Sequence, residues 1–128
     1  RDAARYYVEA TAKKGRPNYL SAEYQDCFGH SLVEVLRSPT DDLDVLALTG
    51  GLRFLADDLK ERGIVSAFAF APSDDIGLAT AYVAAGFRKT GLLANGVQVP
   101  GAGPKGAPER RDAILWTRKL ANPAGDEE

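Results

Sequence analysis

The spacing of Ala4, Tyr7, Val8 and Thr11, at i, i+3, i+4 and i+7, makes one stripe of a helix, which predicts a helix from a capping Asp2 to about Lys14. Gly15, Pro17 and Asn18 end it. The segment from Tyr19 to Tyr24 reads as a short strand, and Phe28 to Arg37, with Leu32, Val33, Val35 and Leu36, as a second helix. Ser38-Pro39-Thr40 then breaks the pattern. The apolar run Leu43–Leu48 has strand length and meets Thr49-Gly50-Gly51, after which Leu52, Leu55 and Leu59 form the inward stripe of a helix closed by Gly63. Arg53, Asp57 and Glu61 step along its wet side.

Ile64 to Ala71 is almost wholly apolar, as expected of an interior strand covered on both faces, and Pro72 terminates it. Asp74 or Asp75 caps a further helix through Ala85, with Gly86 at its C-terminal turn. Phe87 to Val99 is extended, Pro100 to Pro108 is a glycine- and proline-rich loop, and Ala113 to Leu120 is a last strand followed by a polar tail from 121 to 128. Helices between strands predict an α/β fold with a mixed sheet flanked by helices, its last two strands antiparallel neighbours. Residues 1–40 stand apart as a helix-strand-helix segment, 41–120 as the α/β domain. The order helix, turn, strand, helix in 1–37 echoes that of 50–85.

Composition narrows the function classes. The chain has 128 residues, with 16 Lys+Arg against 18 Asp+Glu, so no global positive field gathers nucleic acid or an anionic membrane. Cys27 is the only cysteine and His30 the only histidine, which excludes an intrachain disulfide and a zinc shell of the usual kind. A reduced, cytoplasmic setting is the expectation. No stretch has the length of a spanning helix and no secretory signal opens the chain. The absence of methionine and the start at Arg1 predict a piece of a longer chain.

The segment Ala79-Thr80-Ala81-Tyr82-Val83-Ala84-Ala85-Gly86-Phe87-Arg88-Lys89-Thr90-Gly91 resembles the late part of the GNAT N-acetyltransferases, in which a helix ends in a Tyr-x-x-x-Gly-Phe turn and an Arg-x-x-Gly strand follows. The helix and strand before it and the final strand match that family's order, so the resemblance spans about Leu43 to Leu120. It implies a GNAT-like fold and transfer of an acyl group from acyl-CoA, acetyl-CoA above all, to an amine of a small molecule or a protein. In the family, acyl-CoA lies where two parallel strands splay, its pyrophosphate on backbone amides at a helix start, a favourable place for an anion. The resemblance puts that place at Thr49, Gly50, Gly51 and Leu52, with two adjacent glycines in place of the family's longer loop. Tyr82 falls where many members carry the Tyr that protonates the leaving thiolate, and Asp75 at a position beside the cofactor. The plainer readings are a core aromatic for Tyr82 and a helix cap for Asp75. No residue declares itself as the base for the amine.

Other signals carry less. Gly101-Ala102-Gly103-Pro104-Lys105-Gly106 is a literal G-x-G-x-x-G, but its prolines and the strand after it make it a hairpin loop, locally basic through Lys105, Arg110 and Arg111. Cys27 and His30 lie one helical turn apart, a spacing that permits a thiolate–imidazole pair, with a buried small hydrophobe as the plainer role of the cysteine. The alternative to an enzyme is an inactive GNAT-like binding or regulatory module that contacts a partner domain of a larger protein. A homodimer in which residues 1–40 complete the sheet of a second copy is a further arrangement.

Overall fold

The computed structural model describes residues 3–25, 29–101 and 103–120. In chain order they form β1 (Ala3–Glu9), β2 (Tyr19–Gln25), β3 (His30–Val35), α1 (Asp42–Glu61), β4 (Ser66–Pro72), α2 (Ile76–Ala84), β5 (Arg88–Val99) and β6 (Glu109–Lys119). A short 3-10 turn, Pro104–Gly106, precedes β6. The strands make one six-stranded sheet in the order β1-β2-β3-β4-β6-β5. Only β3 and β4 run parallel, and they are joined through α1, since a parallel connection needs a crossover. The expected α/β class with a mixed sheet holds, and β5 and β6 are the expected antiparallel neighbours.

The first forty residues correct the sequence reading. The expected helices over 2–14 and 28–37 are strands, β1 and β3. Tyr6 and Val8 pack on the core while Arg5 and Tyr7 point the other way, and in β3 Ser31 and Val33 are buried while Glu34 is exposed. The period is two, and pairing of β1 along its length and of Ser31–Val35 with β2 selects it over the helical stripe that some of the same residues also fit. The echo of 1–37 in 50–85 falls with those helices. These strands belong to the same sheet as the later ones, so β1, β2 and β3 are part of this chain's own sheet. Cys27 and the tail lie outside the described residues, as does the capping Asp2; His30 lies on β3, not on a helix.

The second correction concerns Leu43–Leu48, which is not a strand but the opening turns of the 20-residue α1. Asp41 caps it by accepting a hydrogen bond from Asp44 N at 2.8 Å. Leu48, Leu52, Leu55 and Leu59 are its buried stripe, each contributing about 1.5–3 kcal/mol by burial. Gly51 interrupts no helix: a Cβ there would stand 2.8 Å from Ala10 Cβ and 3.2 Å from Leu20 Cδ1, so the missing side chain lets α1 settle on the sheet. At its C-terminal end, Arg62 donates to Tyr24 Oη at 2.9 Å and lies 4.5 Å from the centre of the Tyr6 ring.

Both helices share one core with Ala67, Ala69 and Ala71 of β4. Small residues on that side let the helices approach. The alternate residues Phe68 and Phe70 face away, and Phe70 is 42% exposed. The expectation that this strand is covered on both faces therefore fails: one side of the sheet carries no helix among the described residues.

Candidate functional site

The parallel pair is where the sheet opens. β3 and β4 are paired from His30↔Ser66 to Val33↔Ala69. Beyond that, β3 continues to Val35 alongside β2, and β4 continues to Pro72 alongside β6. Each strand is held by its outer neighbour and not by the other, so the polar backbone of Glu34–Val35 faces that of Phe70–Pro72 across an opening.

A groove of about 960 Å³ lies over the opening on the helix-free face, lined by Arg5, Tyr7, Tyr19, Glu34, Leu36 and Phe70. Its far wall is Gly96–Gln98, which β5 reaches through a register shift between Leu93 and Val97, with Asn95 in a left-handed conformation at φ 53°. Glu34 is the residue that sequence reasoning missed. It was hidden inside an expected helix, whereas the alternation Ser31/Val33 against Leu32/Glu34 is the strand signal that places it on the open face.

Tyr82 lies on α2, on the helix-bearing side of the sheet, in the core. Its ring packs 5.3 Å from that of Phe87 and 5.7 Å from that of Trp116, centroid to centroid. The turn that follows α2 makes this packing possible: Gly86 takes φ 93° and Phe87 N donates to Tyr82 O at 2.9 Å. Tyr82 is fully buried, and its hydroxyl has no hydrogen-bond partner among the described residues. Burial holds its pKa well above the ordinary phenol value, and the carboxylates of Asp75 and Glu34 push it the same way. It is a protonated phenol with no acceptor among the described residues.

Asp75 caps α2, accepting from Leu78 N at 3.0 Å and from Ser38 Oγ at 2.5 Å. It thereby ties the start of α2 to the loop before α1, where Pro39 packs against Gly77. Thr49, Gly50, Gly51 and Leu52 are not brought to this site as a helix start. They lie in the interior of α1, Thr49 Oγ1 donates to Val45 O, and Gly51 and Leu52 are buried. Amides inside a helix are committed to the preceding turn, so the geometry expected of a phosphate cradle at these four residues is absent.

The actual start of α1 carries a built-in anion. Asp44 accepts from Arg37 Nη1 at 3.0 Å, Thr40 N at 3.0 Å and Thr40 Oγ1 at 2.7 Å. These donors, the Arg37 guanidinium first, hold the Asp44 carboxyl well below its usual range. Asp41 and Asp42 sit beside it at the cap and first helical position. Elsewhere, two of the basic residues near the hairpin loop are partnered: Arg111 with Asp74 at 2.7 Å, and Arg110 with Asn95 O at 3.0 Å. Among the described residues no group of three His, Cys, Asp or Glu side chains could hold a metal, and no helix is long and apolar enough to cross a membrane.

The sequence matches no family model, and no curated protein matches it. Solved structures do. A GNAT-superfamily phosphinothricin acetyltransferase from Sinorhizobium meliloti, in complex with acetyl-CoA, superposes with TM-score 0.65 and 18% identity over 95% of this chain and 65% of that one. The ribosomal-protein-S18-alanine N-acetyltransferase from Escherichia coli gives TM-score 0.64 and 16% identity over 91% and 70%. A spermidine N-acetyltransferase from Vibrio cholerae gives 0.63 and 12% over 92% and 66%. The chain has the GNAT fold, over nearly all its described length, and spans about two thirds of each of these proteins.

Proposed function

We propose that this chain is an acyl-transfer domain that acylates an amine at the opening between β3 and β4. The observation that carries the reading is the buried, partnerless Tyr82 hydroxyl beside that opening, with Glu34 on its other side. A buried donor without an acceptor costs about 1–3 kcal/mol; Tyr6 Oη and Trp116 Nε1 are unpartnered too, and Tyr82 differs from Tyr6 in feeling the charge of Glu34, which lines the opening.

The residues present fit an acyl-CoA donor at its thioester end. The unpaired strand backbone of Glu34–Val35 and Phe70–Pro72 can hydrogen-bond an extended amide-bearing arm, and Tyr82 can hold its proton toward sulfur. When bound, the thioester supplies an activated acyl group. The chain's own work is then proton management. An ammonium cannot attack, so Glu34 accepts the amine's proton, directly or through water, while Tyr82 holds a proton at Oη for the group that leaves. The raised pKa keeps Tyr82 in its neutral, donating form at neutral pH.

A second reading, a module that keeps the fold without transferring an acyl group, is favoured by one feature: Asp41 and Asp42 place negative charge at the start of α1, where an anionic phosphate is otherwise well received. Thiol release from acetyl-CoA with a panel of primary amines separates the two. Transfer predicts release that falls about 10²-fold or more in Tyr82→Phe without loss of fold. No release with any amine, alongside saturable acetyl-CoA binding, supports the inactive module.

A further inference from the structure

The groove on the helix-free face has a charge arrangement that the transfer chemistry alone does not call for. Arg5 Nη2 is engaged at 2.8 Å by Glu23, but its Nη1 reaches toward Glu34 and stops 3.9 Å from Oε1, beyond hydrogen-bond length. Glu34 accepts no hydrogen bond from a side chain among the described residues, and it is exposed on the groove floor beside Leu36 and Phe70. Arg5 Nη1 and Glu34 thus form a loose, solvent-exposed ion pair without a hydrogen bond between them, flanked by apolar and aromatic side chains.

We infer that the acceptor is an α-amino acid with a large apolar or aromatic side chain, or a peptide too short to separate its terminal ammonium and carboxylate. This rests on the acyl-transfer reading for the role of the groove and adds the substrate class. The complementarity is threefold. The ligand's ammonium meets Glu34, the group that must take its proton. Its carboxylate meets Arg5 Nη1, a charge-assisted contact that a simple amine lacks. The two protein charges stand 3.9 Å apart, close to the spacing of the ammonium and carboxylate of one α-amino acid, so the ligand can lay its own pair alongside theirs. Its side chain lies along Tyr7, Tyr19 and Phe70, which are otherwise exposed at 65%, 40% and 42%. A polyamine fits poorly, because its second cation would approach Arg5.

The test is equilibrium binding to the 128-residue chain, followed by calorimetry and by amide shifts, with L-phenylalanine, phenethylamine, 3-phenylpropionate and spermidine as ligands. L-Phenylalanine should bind at least tenfold more tightly than each of the other three, with shifts in β1, β3 and Gly96–Gln98. Arg5→Ala should bring the phenylalanine-to-phenethylamine ratio close to one, its melting curve confirming the fold. Equal binding of phenethylamine, preference for spermidine, or no saturation by phenylalanine at millimolar concentration would overturn the inference. Thiol release from acetyl-CoA, run on the same sample, isolates the parent reading. Phenylalanine binding without release retains the groove's ligand class but removes the acyl-transfer reading and the acceptor role with it; release that is indifferent to the carboxylate retains the transfer and overturns the inference.

Discussion

The two faces of the sheet are built by different rules. On the covered face, Ala67, Ala69 and Ala71 are no more than 1% exposed, and Leu48, Leu52, Leu55 and Leu59 of α1 complete the core. On the open face, the same strands present Leu32, Glu34 and Phe70, with Tyr7 and Arg5 from β1. One strand serves both: β4 alternates alanine inward and phenylalanine outward. The covered face is specified by packing volume, so its residues answer to stability. The open face buries little and answers to whatever the groove receives. The opening between β3 and β4 lies between the two faces, with Tyr82 on the packed side and Glu34 on the open side.

Substitution across the faces should break the symmetry sharply. Leu52→Ala, in the core, should cost about 2–5 kcal/mol of unfolding free energy, whereas Phe70→Ala on the open face should cost less than about 1 kcal/mol. Urea melts of the two variants measure the contrast. If both cost the same, the open face is not open.

The glycines of α1 sharpen it within one helix. Gly51→Ala gains roughly 1 kcal/mol of helix propensity but forces a methyl against Ala10, an overpacking cost of about 1–3 kcal/mol, so a net loss is expected. Gly50→Ala meets nothing within 4 Å and should be stabilising by up to about 1 kcal/mol. These opposite signs follow from an uninterrupted helix; a glycine turn at 49–51 would make both substitutions harmful.

Acid should reach the packed side through Asp44. A carboxyl whose folded pKa lies below its unfolded value of 3.8 adds stability that is complete at neutral pH, begins to fade as pH drops toward 3.8 and goes on fading below it. Asp44→Asn should therefore melt earlier than the parent chain at pH 7, and the gap should narrow in acid below pH 3.8; a gap that stays constant with pH removes the ionic account. The smallest effect is expected at Asp42, exposed in the first turn of α1. Asp42→Asn removes the repulsion, about 0.3–1 kcal/mol, that this carboxylate exerts on a phosphate brought to that helix start, and acetyl-CoA titrations should show binding tightened roughly two- to fivefold.

What could be read from the sequence follows the same division. The second half was legible because its signals agree: Ile64–Ala71 is apolar and of strand length, Asp75 and Gly86 bracket a helix, and the Tyr82–Phe87 turn carries the family resemblance. The first half was not, because β1 and β3 alternate imperfectly. Ala4, Tyr7 and Val8 fit a helical stripe, and only pairing with β2, a non-local fact, decides against it. Leu43–Leu48 failed for another reason: a helix that begins with a short apolar run looks like a strand, and Gly50-Gly51 looks like its end when one of those glycines is a packing device. That error carried the phosphate cradle with it, and the misread β3 hid Glu34.

The central claim, that ligand chemistry belongs to the opening between β3 and β4, is tested most directly by titrating the isotope-labelled chain with acetyl-CoA and following backbone amides by NMR. The account predicts saturable shifts concentrated at Glu34–Leu36, Phe70–Pro72 and the α2 residues around Tyr82. Shifts centred on Thr49–Leu52, or no saturation at millimolar ligand, would contradict it.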